Sequence, residues 1–298
     1  MKRFLIKTIL SVLIVCIAIV VLCFVLQSKS NNDEDIYTQS SIYVWGDSQM
    51  YQGLDIKTLS ENTSKKVFSS AEHGAGVYDF LVTVARIPEE STCIIALPEC
   101  CLYRRLNSDY NRSGFDIKSI LIMLESGYPI QGCIHIVRNN FLTHFNFSST
   151  HESYKYAPKI VYSEPLSGFY DMFNNGKNYT NCKLNAYKRG ISCLIDKRCR
   201  IILLQFPFSE EVESFAVGSI NRRETEMLKE ELINKYSFKS DTIYISSDSL
   251  IMHDLSHMNE VGVYYLTKCI GQYVSQLESE ERLLYQVTPN SSLNYVDY

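Results

Sequence analysis

Residues 41 to 49 read Ser41-Ile42-Tyr43-Val44-Trp45-Gly46-Asp47-Ser48-Gln49, an apolar run brought to a stop by Gly-Asp-Ser. β-branched and aromatic side chains fit a pleated, half-buried surface, and Gly46 lets the backbone turn sharply before a helical stretch from about Met50 to Ser60. Strand, tight turn and helix together open an α/β unit. The alternation continues downstream. Lys66 to Ser70 predicts a second short strand ending at His73-Gly74-Ala75-Gly76, Val77 to Arg86 a helix, and Thr92-Cys93-Ile94-Ile95-Ala96-Leu97 a third, continuously apolar strand. Strands apolar on both faces and separated by helices imply a parallel sheet covered on both sides.

Arg200 to Phe206 predicts another buried strand closed by Pro207, Asn221 to Lys235 an amphipathic helix, Thr242 to Ile245 the last strand, and Val261 to Leu277 a closing helix. Between about 103 and 199 the pattern loosens. That segment holds one clear helix, Asp116 to Ser126, and a strand candidate, Gly132 to Val137. It is expected to be an insertion at the C-terminal edge of the sheet, where α/β proteins place their ligand sites. The expected domain is therefore a three-layer α/β/α, flavodoxin-like unit over residues 41–280, followed by a C-terminal tail over 281–298.

The N-terminal region predicts a different environment. From Ile9 to Leu26 no charged residue interrupts the apolar run, and a bilayer core needs roughly 20 residues, sometimes as few as ~17. Lys2, Arg3 and Lys7 precede it, while Asp33, Glu34 and Asp35 follow. The positive-inside bias then places residues 1–7 in the cytoplasm, a signal anchor at 8–26, and the rest outside, in the periplasm or at the cell surface. A cleaved signal peptide is the rival, but the run exceeds the usual ~7–15-residue apolar region. Residues 27–40 are polar and acidic and read as a linker.

A net charge of −4 argues against a nucleic-acid partner, since binding phosphates needs a basic face. Eight cysteines lie beyond the anchor, few for this length, and a domain of this size does not need disulfide staples. No paired Cys-x-x-Cys spacing suggests structural zinc. His253 and His257 loosely resemble a metal-binding pair but lack a third ligand, so neither a metal nor another cofactor is expected.

Two short motifs carry the chemistry. Ser48 follows the first strand, and near the other end stand Asp254-Leu255-Ser256-His257, Asn259 and Gly262. A serine hydroxyl is a poor nucleophile until an imidazole takes its proton, and the imidazole works best when a carboxylate fixes its tautomer. Asp254 and His257 are three apart, a spacing that one helical turn would place on one side. Asp47 or Asp254 could otherwise serve only as a helix cap.

The pattern resembles the SGNH/GDSL hydrolase superfamily, including membrane-anchored members that act on cell-surface polysaccharides. Gly46-Asp47-Ser48 looks like the first block, with Ser48 as nucleophile. Gly76, or Gly74, looks like the second block, whose N–H joins that of Ser48 in the oxyanion hole. Asp254-x-x-His257 with Asn259 and Gly262 looks like the last block. The third block departs: where the family has Gly-x-Asn-Asp, this chain has Leu97-Pro98-Glu99-Cys100-Cys101, and a cysteine is a weak donor. Asn107, Asn111 and Asn139 are candidate replacements. The resemblance implies a serine-dependent esterase or O-acyltransferase acting on O-acyl esters of an acylated carbohydrate. The alternative is a catalytically weak or inactive relative that binds glycans or partner proteins.

Overall fold

A computed structural model of the chain describes residues 41–97, 99, 115–145, 166–175, 180–246, 252–278 and 280–290. The expected anchor (8–26) and linker (27–40), together with Cys100, Asn107 and Asn111, lie outside the described residues. No helix among the described residues is long and apolar enough to cross a membrane.

The first strand, β1 (Ile42–Trp45), is buried throughout and leads into α1 (Ser48–Gly53) and α2 (Ile56–Thr63). The single helix expected over 50–60 is therefore two. The break falls at Leu54-Asp55, where the Asp55 carboxylate caps α2 by accepting from the N–H groups of Lys57 and Thr58. Then come β2 (Val67–Ser69), α3 (Val77–Arg86) and β3 (Thr92–Ala96), close to the bounds that periodicity predicts. α4 (Ile117–Glu125) is capped by Asp116 through Ser119 N–H. Next are α5 (Ile130–Phe145), α6 (Leu166–Asn175) and α7 (Thr180–Asp196). The chain continues with β4 (Arg200–Gln205), α8 (Glu210–Ala216), α9 (Ile220–Tyr236), β5 (Lys239–Ser246), α10 (Glu260–Gln276) and β6 (Arg282–Asn290).

All six strands are parallel, in the order β2-β1-β3-β4-β6-β5. Alternate strand residues face opposite layers. Tyr43, Trp45, Cys93, Ile95, Ile201 and Leu203 pack with α3, α4, α5, α7 and α9. Ile42, Val44, Ile94, Ile202 and Leu204 pack with α1, α2 and α10. The protein is thus an α/β unit with a central parallel sheet covered on both faces, compatible with a flavodoxin-like arrangement.

Three expectations are corrected. Residues 282–290 are not part of a tail but form β6, inserted between β4 and β5, so Thr242–Ile245 belongs to an edge strand rather than to the last one. Leu283, Leu284, Tyr285 and Val287 are buried there, and the ladder to β5 extends to Asn290 opposite Ser246. Gly132–Val137 is helical, inside α5, because its buried side chains, Cys133 and Ile136, recur at helical spacing while Ile134 between them is exposed. The end of the supposed insertion is part of the basic layering, since α7 packs on α3 as the crossover into β4. Gly190 of α7 lies so close that a Cβ there would stand 2.4 Å from Phe80 Cε1.

Candidate active site

In a doubly wound sheet, ligands bind beyond the carboxyl ends of the strands, where the strand order reverses. Here the reversal falls between β1 and β3, and Ser48 leaves β1 at that point. Gly46 makes the turn possible: a Cβ there would lie 2.2 Å from Met50 Cβ and 2.8 Å from Ala96 Cβ. The buried Asp47 caps α1, accepting from Gln49 N–H at 3.0 Å. Ser48 is half-buried in the first turn of α1.

The last block is a pinched loop rather than a helical turn. Met252 and Met258 pair across its neck, and His253 N–H donates to His257 O at 2.7 Å. Inside the loop Asp254 Oδ1 accepts the N–H groups of Ser256 and His257, each at 2.8 Å. His257 Nδ1 stands 2.7 Å from Asp254 Oδ2 and 2.9 Å from Oδ1. Burial pushes the Asp254 carboxyl up, but the hydrogen bonds from His257 and Ser256 outweigh it, and the group stays below its usual range. Such a carboxylate holds the proton of a neutral ring on Nδ1 and leaves Nε2 as the acceptor. His257 Nε2 is buried and hydrogen-bonds to nothing among the described residues. Asp254 is not the cap of α10; Asn259 is, accepting from Val261 and Gly262 N–H at 3.0 Å.

Two motifs far apart in sequence meet through Gln49, which adjoins Ser48. Its buried side-chain amide donates to Ser256 O at 3.1 Å and to Pro207 O at 3.4 Å. Ser209 N–H also donates to Leu255 O at 3.0 Å, so the loop lies over the end of β4 beside α1. Gln49, the residue after Ser48, is thus tied to Ser256, the residue before His257. Nothing in the sequence singles out Gln49, because a glutamine beside a motif has no signature of its own.

The second block follows β2 as a turn in which Ala75 N–H donates to Glu72 O at 3.1 Å, and Gly74 occupies the left-handed region at φ 76°. Glu72 N–H donates to Gly46 O at 3.1 Å, which sets the turn beside the Gly-Asp-Ser corner. The turn bears on the two glycine candidates differently. Gly76 N–H is committed to the Asp79 carboxylate at 3.0 Å, a buried bond that caps α3, so it is not available to an oxyanion. Gly74 is the glycine beside the corner, and the preceding ring, His73, stands edge-on to His257 with centroids 6.5 Å apart.

At the third block Glu99 faces away from such a role. It is 2% exposed and pairs with Arg222 Nε at 2.6 Å, while Gln205 donates to it at 3.3 Å. Asn139 lies on α5, with Nδ2 3.1 Å from Nε2 of His135 one turn earlier. No family model matches the chain, and no curated protein matches it. Among the described residues no group of three His, Cys, Asp or Glu is placed to hold a metal ion, and His253 is exposed while His257 is buried. Cys93, Cys133, Cys182, Cys193, Cys199 and Cys269 form no disulfide among the described residues.

Proposed function

We propose that this chain is an SGNH-type serine esterase or O-acyltransferase, anchored by residues 8–26 with its α/β domain outside the cytoplasm, acting on O-acyl esters of a cell-surface glycan. The observation that carries the reading is the Asp254–His257 pair, whose remaining ring nitrogen is buried without a partner among the described residues, in a loop that Gln49, next to Ser48, holds through Ser256 O. A buried, unpartnered acceptor costs roughly 1–3 kcal/mol, which a structural histidine would have no reason to carry. As a general base the same nitrogen is where a serine proton goes.

In this reading His257 Nε2 takes the Ser48 proton as Oγ attacks the acyl carbonyl. The N–H groups of Ser48 and Gly74 hold the oxyanion, and His257 returns the proton to the departing alcohol. Water, or a sugar hydroxyl in transfer, repeats the sequence in reverse on the acyl-enzyme. Asp254 stays ionised and stabilises the imidazolium. A second reading, an SGNH-fold protein that binds glycans or partners with little turnover, is favoured by Glu99, which occupies the third block and is engaged with Arg222 and Gln205.

The deciding experiment treats the full-length chain, in detergent, with a fluorophosphonate and locates the adduct by mass spectrometry. The hydrolase reading expects modification of Ser48, lost in Ser48→Ala and in His257→Ala. An unmodified Ser48 in folded protein leaves the binding reading.

A further inference from the structure

An outer helix of a layered protein turns its apolar stripe inward and polar side chains outward. α4 does not. It is apolar apart from Lys118, Ser119 and Glu125. Ile120 and Met123 are buried in the core that α4 shares with α3 and α7, yet Ile117, Leu121 and Leu124, at i, i+4 and i+7, are exposed. After the connection Ser126 to Pro129, α5 packs on α4 and repeats the arrangement: Cys133 and Ile136 are buried, whereas Ile130 and Ile134 are more exposed than buried. Apolar side chains scattered singly over a surface are ordinary, but rows of them on two consecutive helices mark an interaction surface.

The chemistry of the rows points to lipid. All five outward side chains are Ile or Leu. Interfaces between proteins favour Tyr, Trp, Phe, Met and Arg at their core, and the exposed tyrosines Tyr244, Tyr264 and Tyr265 stand on β5 and α10 instead. Leu and Ile are among the residues that enter a bilayer most readily. Charge at the border agrees with this. Exposed Arg138 follows Ile134 by one turn, exposed Lys118 adjoins Ile117, and Glu125 is paired with Arg189 at 3.8 Å. Basic side chains beside an apolar helix face suit the phosphates of anionic headgroups. The chain outside the described residues brings that partner close. Residues 27–40 reach at most ~50 Å even fully extended, and a domain of about 250 residues has a radius of gyration of about 18 Å. A domain on that tether stays within about its own diameter of the bilayer.

We propose that the outer face of the α4–α5 hairpin is a second membrane contact, lying in the headgroup boundary of the leaflet from which the anchor emerges. The inference rests on the anchor in the reading above and is independent of the ester chemistry. Ile117, Leu121, Leu124, Ile130 and Ile134 enter the boundary, and Lys118 and Arg138 meet the headgroups. α4 and α5 belong to the layer of α3 and α7, whereas α1 and α10, which flank the candidate site, cover the other face of the sheet. Docking by this face therefore leaves α1, α10 and the site between them uncovered.

The single tryptophan, Trp45, is buried, so the emission of a second ring placed on the surface can be read above a constant background. Full-length Leu121→Trp, Ile134→Trp and Lys268→Trp chains are reconstituted in vesicles of phosphatidylglycerol and phosphatidylcholine, with and without bromine near the headgroup end of the acyl chains. Lys268 is exposed on α10, in the opposite layer. Bromine should quench the added emission of Leu121→Trp and Ile134→Trp about twofold or more, because a face held in the interface sits ~5–10 Å deep, and should leave that of Lys268→Trp unchanged. A chain that floats with the vesicles but shows no quenching of either hairpin ring would overturn the contact and spare the anchor. A chain that does not float would overturn both. Equal quenching of all three rings would overturn the contact as one without a preferred face. Unquenched hairpin rings, with chemical crosslinking of the parent chain into dimers that Leu121→Asp combined with Ile134→Asp abolishes, would give the face to a second copy instead of lipid.

Discussion

Among single residues, Gln49 does the joining that the nucleophile and base cannot do for themselves. Its side chain is 5% exposed and donates to two main-chain carbonyls, those of Pro207 and Ser256. Replacing it with alanine leaves both acceptors buried without that donor, at a cost of about 1–3 kcal/mol. Gln49→Ala should therefore lower the urea midpoint and, because Ser256 adjoins His257, slow ester turnover by more than its loss of stability explains. Denaturation curves and initial rates on the same preparation check this; a variant with wild-type midpoint and wild-type rate would mean that the loop is held by other contacts. The candidate catalytic residues themselves are legible from local spacing, and Asp254 and His257 do pair. The way they pair is not legible. Three residues apart suggests a helical turn, whereas the carboxylate reaches His257 because it also accepts two main-chain N–H groups inside a pinched loop.

Elements show where a periodic reading succeeds and where it stops. α3 and β3 fall close to their expected bounds because each is a self-contained apolar pattern flanked by turn residues. β6 escapes such a reading because Arg282 to Asn290 follows a charged stretch, ends in Pro289-Asn290, and its buried apolar side chains among those described, Leu283, Leu284, Tyr285 and Val287, do not alternate strictly. A proline next to the strand end is tolerated because a missing donor costs little close to the end of the ladder. The strand is nonetheless interior, bonded to β4 on one side and β5 on the other. Ending the chain after Glu281 should therefore abolish folding rather than trim a tail: it removes an interior ladder and exposes Ile243, Ile245 and Leu204. Expression of the truncated chain should yield insoluble or protease-sensitive material, and a truncated protein with a wild-type melting profile would show that the sheet does not depend on β6.

At the scale of the whole molecule, stability should carry the signature of one buried carboxyl. Burial pushes Glu99 from its ordinary 4.5 up to about 7, against Arg222 and Gln205, which favour the carboxylate. Arg222, desolvated but held between Glu99 and Glu213, is raised as well and stays charged. A folded-state value above the unfolded one means that the folded chain holds the proton more tightly. The contribution from Glu99 is then fully present below about pH 4.5 and is lost as pH rises through about 7. The full swing is roughly 3 kcal/mol, because each tenfold gain in proton affinity is worth about 1.4 kcal/mol. Asp254, held low, acts in the opposite sense and only in acid, where stability falls as its carboxylate is protonated. Urea midpoints between pH 5 and 8 should decline in the parent chain and flatten in Glu99→Gln. Parallel curves for the two proteins would remove Glu99 from the account.

The sequence by itself determined the α/β alternation, the sharp corner at Gly46-Asp47-Ser48 and the composition of the Asp254-x-x-His257 loop. Each of these depends on residues a few positions apart, through pleat and helix periods, turn chemistry and local hydrogen bonds. Only the tertiary structure decided that β6 enters between β4 and β5, that Gly76 N–H belongs to Asp79, and that Tyr51, His73 and His257 stand together. Strand order and side-chain convergence are set by which apolar faces bury best against one another over the whole chain, and no local pattern encodes that choice.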